Sequence, residues 1–267
     1  MKMALAPLLL LLLWTESTLS YNQKRILGGY DCAATERLYH VHLYKHHNTF
    51  TSEYVCGGSL IHAQWVLTAA KCYFPKDKKG WEVHVHVGVH GGQQVTEIPI
   101  SEIQWFHDDE NIRDGEIILL KLQSAVPDGI TPVSLPECDD KGQPTVALKS
   151  IQLAGHILST KRLVGWQKDV ESKNLLCVDM NVVPCPEPSM FCPFKIGSLK
   201  NNLCYKGKGK DAGKGDSGGG VVDKASNTIY GVHLEDDSTA CGTPPRSFNV
   251  CTQIKQIKKN IGLEKKK

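Results

Sequence analysis

From residue 81 to residue 88 the chain reads Trp81-Glu82-Val83-His84-Val85-His86-Val87-Gly88, with valines and polar residues alternating in period two. In an extended chain successive side chains point to opposite faces, so the valines share one face while Glu82, His84 and His86 share the other. This is the pattern of a strand laid over an apolar core. Short apolar and alternating stretches recur along the chain, punctuated by Gly, Pro, Asn and Asp, and no internal repeat or low-complexity linker separates independent units. The fold class read from this is all-β. One helix is expected at the end, where Ile254, Ile257 and Ile261 recur at helical spacing and Gly262 stops the run.

The first residues have the composition of a secretory signal: Lys2, an apolar stretch dominated by Leu8 to Leu13, then the small residues Thr18 and Ser20. Cleavage after Ser20 is expected. The apolar run is far shorter than the ~20 residues that span a bilayer, and no later stretch is long and apolar enough. A secreted, extracellular protein with no membrane span is therefore expected. All ten cysteines follow this leader, which suits an oxidising compartment and a disulfide framework.

No cysteine pair has the short spacing of a zinc site. His84, His86 and His90, and His46 and His47 in a polar stretch, are read as surface residues, so neither metal nor cofactor is expected. Net charge is only +3, from 31 Lys plus Arg against 28 Asp plus Glu. Its distribution is more pointed: Lys206, Lys208, Lys210 and Lys214 form one group, and Lys255, Lys258, Lys259 and Lys265 to Lys267 another. Such groups attract heparin-like polyanions or are merely solvated. Nothing beyond charge points to nucleic acid.

Gly215-Asp216-Ser217-Gly218-Gly219 resembles the nucleophile loop of the chymotrypsin/trypsin-like serine proteases. Four further segments resemble that family's landmarks, in its order: Arg25-Ile26-Leu27-Gly28-Gly29, Cys56-Gly57-Gly58-Ser59-Leu60-Ile61, Gln64-Trp65-Val66-Leu67-Thr68-Ala69-Ala70, and Asp114-Gly115-Glu116-Ile117-Ile118-Leu119-Leu120. The resemblance implies two six-stranded antiparallel β-barrels packed face to face, with the active site in the cleft between them and a short C-terminal helix. It implies a signal at 1–20, an activation propeptide at 21–25, a protease-like domain at 26–262 and a basic tail at 263–267. The implied disulfides are Cys56–Cys72, Cys32–Cys177, Cys138–Cys251 and Cys185–Cys204, leaving Cys192 and Cys241 unassigned. One family bridge is lost at both ends, with Ile151 and Asp223 in its places.

The same resemblance assigns Ser217 as nucleophile and the backbones of Gly215 and Ser217 as oxyanion hole. A serine hydroxyl attacks an amide only if a base takes its proton. At the family's histidine position this chain has Lys71, and at its aspartate position Glu116. A lysine acts as base only when burial without a neighbouring acid leaves it neutral, so a Lys71–Glu116 salt bridge is expected instead. Asp211 matches the acidic base of the trypsin specificity pocket. Leu234-Glu235-Asp236 replaces the wall that pairs with substrate, and the other wall glycine falls on Pro245 or Arg246. If it is Arg246, its guanidinium fills the pocket and pairs with Asp211. Cleavage after Arg25 would free the Ile26 amine to pair with Asp216, or Asp216 merely caps a turn.

These residues suggest a secreted, non-catalytic serine protease homologue that binds a protein partner (a protease, an inhibitor or a substrate-like peptide) or an anionic surface. The alternative is an active secreted endopeptidase cleaving after Lys or Arg. A third reading is a cationic host-defence protein acting through its basic face.

Overall fold

The computed structural model describes residues 28–48, 51–73, 82–106, 116–156, 174–186, 201–210, 212, 216–234 and 244–263, and the backbone of strands at 158–163 and 166–171. The expectations concerning Arg25, Ile26, His47, Cys192, Asp211, Lys214, Gly215, Asp236 and Cys241 lie outside these residues or, for His47, concern a side chain outside them.

Fifteen strands and one α-helix are present among the described residues. Strands β2 (His40–Asn48), β3 (Thr51–His62), β4 (Trp65–Ala69), β5 (Glu82–Val87), β6 (Thr96–Trp105) and β7 (Ile117–Leu122) close into an antiparallel barrel in the order β2-β3-β4-β7-β6-β5. A second ring is formed by β8 (Ser150–Gly155), β11 (Leu176–Val183), β12 (Asn202–Lys206), β15 (Arg246–Asn249), β14 (Thr228–Leu234) and β13 (Gly220–Asp223), with β11 and β8 pairing to close it. Short β1 (Tyr30–Asp31) is added to β11, and β9 (Leu158–Leu163) with β10 (Trp166–Glu171) makes a separate hairpin. The fold is thus two six-stranded antiparallel barrels and one short terminal helix.

Strand β5 follows its alternation: Val83, Val85 and Val87 are buried while Glu82 is exposed and His84 and His86 are half-buried. The first-barrel core joins these valines to Leu43, Leu60, Leu67, Ile98 and Leu119. Ile151, Leu153, Val178, Met180, Tyr205 and Val221 fill the second barrel. Ile151, at one end of the lost bridge, is therefore part of an apolar core. Helix α1 (Ile254–Asn260) buries Ile254 and Ile257 against the larger core and ends at Gly262, whose φ of +77° is the left-handed conformation that suits glycine.

Four disulfides, Cys32–Cys177, Cys56–Cys72, Cys138–Cys251 and Cys185–Cys204, staple the barrels. They are the pairs that the family resemblance implies. Cys56–Cys72 spans a separation of 16 residues, a closure worth about 3 kcal/mol in the chain-entropy account. It also pins the short 3-10 turn at 70–72, which carries Lys71, to strand β3.

Candidate active site

The segment Asp216-Ser217-Gly218-Gly219 runs along the seam between the barrels and is held from both sides. From the first barrel, Gly57 N–H donates to the Ser217 carbonyl at 2.9 Å. From the second, Gly218 N–H donates to the His233 carbonyl at 2.9 Å, and His233 N–H returns a bond of 2.9 Å to Gly219. Gly219 N–H closes the turn onto the Asp216 carbonyl at 3.1 Å. These bonds fix the loop carrying the expected nucleophile. Asp216 is 2% exposed and Ser217 1%.

Glycine is required at one point of this loop. Gly218 has a φ of +79°, and a Cβ placed there would lie 2.2 Å from Thr68 Oγ1 and 2.3 Å from the Gly57 carbonyl oxygen. Thr68 cannot easily turn away, because its hydroxyl donates to that same carbonyl at 2.8 Å. Gly218→Ala is expected to destabilise the fold by about 3 kcal/mol, from overpacking plus left-handed strain. A urea-denaturation midpoint equal to that of the parent chain would refute this.

Lys71 lies on the turn following β4, and Ala70 N–H donates to the Glu116 carbonyl at 3.0 Å, so residues 71 and 116 sit on adjoining segments. Together with the Gly218 contacts to Thr68 and Cys72, this gathers Ser217, Lys71 and Glu116 at one end of the first barrel. Lys71 is exposed to solvent. The burial that would leave an amine neutral at this position is missing.

Among the described residues the cation paired with Glu116 is Arg246, where sequence reasoning expects Lys71. Arg246 Nη1 donates to Glu116 Oε1 at 3.0 Å and to Asn202 Oδ1 at 3.3 Å. The pair is largely shielded, with the arginine side chain 12% and the glutamate 24% exposed. It therefore bridges β15 of the second barrel to the start of β7 in the first. A carboxylate engaged this way has one oxygen committed to a charge-assisted bond, and the guanidinium stands between the barrels.

A family model described as Trypsin matches residues 26–261. The chain belongs to the trypsin family. Cationic trypsin-3 of Rattus norvegicus is 32% identical over 247 residues, covering 89% of this chain and 90% of the relative. Kallikrein 1-related peptidase b1 of Mus musculus is 27% identical over 223 residues, covering 75% and 76%. Thrombin-like enzyme calobin-1 of Gloydius ussuriensis is 31% identical over 219 residues, covering 76% of each chain. Among solved structures, that of neuropsin, a serine protease expressed in the limbic system of mouse brain, aligns with a TM-score of 0.63 at 21% identity, covering 88% of this chain and 99% of its own. At that identity the agreement is one of fold.

Behind the loop carrying Ser217 in this trypsin-family chain lie groups that sequence reasoning missed. Tyr205 is fully buried, and its hydroxyl sits 2.6 Å from His233 Nδ1 and donates to the Arg246 carbonyl at 3.2 Å. This ties the strand carrying Arg246 to the strand that clamps Gly218. Beneath the first barrel's side of the seam, His40, His42 and His156 are all buried, with His42 Nε2 2.7 Å from His156 Nδ1. His40 lies beside Gly57 of β3 and reaches the edge of the loop, its Cε1 being 3.0 Å from a Cβ built on Gly57 and 4.0 Å from one built on Gly219. Burial pushes the His40 and His42 imidazoles well below their usual range and brings His156 down to about 4. The alternation of His40 and His42 in β2 reads as an exposed polar face, and nothing in the sequence points to His156.

Of the basic groups, Lys206 and Lys208 are exposed, but Lys210 donates to the Asp179 carbonyl at 2.9 Å. Near the helix, Lys255 pairs with Asp140 at 2.9 Å and Lys258 with Glu137 at 3.4 Å. Acidic residues from a distant loop thus offset part of the second cluster.

Proposed function

We propose that this trypsin-family chain does not cleave peptides and that its scaffold binds a protein partner. The observation carrying this reading is the Arg246–Glu116 pair: the carboxylate expected to orient a base is bonded to a cation from the other barrel. The exposed Lys71 and the 1% exposure of Ser217 support it from the remaining positions. A solvated ammonium accepts no proton from an alcohol, and a buried serine meets an incoming carbonyl less readily than an open one. Loss of the histidine base alone lowers turnover by about a million-fold in a comparable triad.

The four disulfides support a secreted protein. Partial pairing of the C-terminal lysines favours a protein partner over a heparin-like polyanion. The buried carboxylate of Asp216 is consistent with pairing to the Ile26 amine after cleavage at Arg25.

The decisive assay compares chain processed at Arg25 with its Ser217→Ala variant on a Lys or Arg peptide ester. Equal background rates are expected. Hydrolysis that disappears with the hydroxyl would establish the rival reading, an endopeptidase cleaving after basic residues, which the intact clamp around Ser217 favours.

A further inference from the structure

Two groups of three metal-competent donors lie within 4.8 Å of one another among the described residues: His40, His42 and His156, and His46, His86 and Glu97. They differ in chemistry. In the buried trio, His42 and His156 already spend ring nitrogens on each other, and among the described residues the group includes no carboxylate to offset a divalent charge. The second group has a carboxylate, lies on the outer face of the first barrel, and is partly exposed, Glu97 more than the two histidines.

Cross-strand register builds the second group from three neighbouring strands. On β5, His86 stands opposite Glu97 of β6, while His46 of β2 lies opposite Glu82, two residues before His84. The three side chains therefore emerge on one face although they are far apart in sequence. His86 Nε2 lies 3.5 Å from Glu97 Oε2, and His46 Nε2 lies 3.8 Å from Glu97 Oε1. Both Nε2 atoms are shielded and have no hydrogen-bond partner among the described residues.

Donors bound to one tetrahedral Zn²⁺ at ordinary bond lengths are separated by roughly 3.3 Å. The observed gaps are slightly wider than that, and wider than a strong charge-assisted hydrogen bond. We infer that His46 Nε2, His86 Nε2 and the Glu97 carboxylate form a binding site for a divalent transition cation such as Zn²⁺, with the fourth position open to water or to a ligand from a partner.

Two surrounding groups orient the donors. His84 Nδ1 is hydrogen-bonded to Glu97 Oε1, which aims the second carboxylate oxygen at His86. Tyr44 stacks on the His86 ring at 4.4 Å between centroids, and His84 stacks on His46 at 4.7 Å. Such neighbours set ligand orientation and commonly change metal affinity by about 10- to 100-fold. Imidazole nitrogens select transition ions over Mg²⁺ and Ca²⁺, which prefer all-oxygen sites.

The test is competition between the purified full chain and a chromophoric chelator for Zn²⁺ alone, with thermal unfolding followed in parallel. One equivalent of bound Zn²⁺ is expected, with a raised unfolding temperature that Mg²⁺ does not reproduce. His86→Ala and Glu97→Gln, both at partly exposed positions, should each weaken binding by more than about 10-fold, and His84→Ala by about 10-fold. No stoichiometric Zn²⁺ binding by the parent chain would overturn the proposal. So would binding that survives both ligand variants but is lost in His42→Ala, which places the ion in the buried trio. Should a ligand variant fail to fold, Glu97→Asp, which keeps the carboxylate but retracts it, must still weaken Zn²⁺ without changing the unfolding temperature of the metal-free chain.

Discussion

Lys71→His combined with Glu116→Asp is expected to leave the chain nearly inert, and adding Arg246→Gly is expected to raise its turnover by up to about 10⁴-fold. The double change restores the residue types of a catalytic triad but keeps the Arg246 guanidinium, which now reaches Glu116 at 3.0 Å from the opposite barrel. An arginine side chain is long enough to follow a carboxylate retracted by one methylene. The restored imidazole would then compete with a permanent cation for its orienting acceptor, and the cation has the stronger bond. In a comparable triad, loss of the orienting carboxylate alone lowers turnover by about 10⁴, which sets the ceiling for the gain. The measurement is ester turnover by the Arg25-processed double and triple variants, each with Ser217→Ala as baseline. Equal activity in the two would remove Arg246 from the proposed mechanism of inactivation.

The folded state is expected to lose stability steeply as pH falls below about 6.5. His40, His42 and His156 are held neutral chiefly by burial. The groups facing them, the Arg37 guanidinium and the His90 imidazole, press the same way, as do the trio's own mutual repulsions and His86 opposite His42. In the unfolded chain these imidazoles bind protons near their ordinary value of about 6.5. Below that value the unfolded state therefore carries more protons, so stability rises with pH and is fully present only above it. For His156 the loss continues until the folded group protonates near 4. That residue alone accounts for about 3 kcal/mol across the window, and the trio together for up to about 4 kcal/mol per pH unit. Urea midpoints taken between about pH 7.5 and about pH 5 should fall accordingly, and His42→Phe with His156→Phe should flatten the profile. Midpoints that stay constant in the parent chain would contradict the assignment.

Much of the fold was legible in particular residues. The valines of β5 and the isoleucines of α1 report their own burial, because a repeating element exposes one face at a fixed period. The barrel pair and its four disulfides were legible through the ordered landmarks, each a short local motif. The candidate site was legible only in part. The family resemblance assigned Ser217, Lys71 and Glu116 to one site, and the turn carrying Lys71 does adjoin Glu116, whereas the cation that pairs with Glu116 among the described residues is Arg246 and not the expected Lys71. Arg246 is separated from Glu116 by 130 positions, and nothing in either segment encodes that distance.

By itself, then, the amino-acid order determined which side chains share a face in β5 and α1, that the fold is mostly β, and which residue types stand at the positions the family resemblance singles out. The tertiary structure decided what each face meets. His40 and His42 occupy the polar register of β2 yet are buried against the second barrel, while His84 and His86, in the same register of β5, remain half-open beside Glu97. The physical reason is that strand periodicity is a property of one backbone. Ion pairing, desolvation and metal-competent clustering arise between backbones, and their neighbours are selected by the register and closure of two barrels.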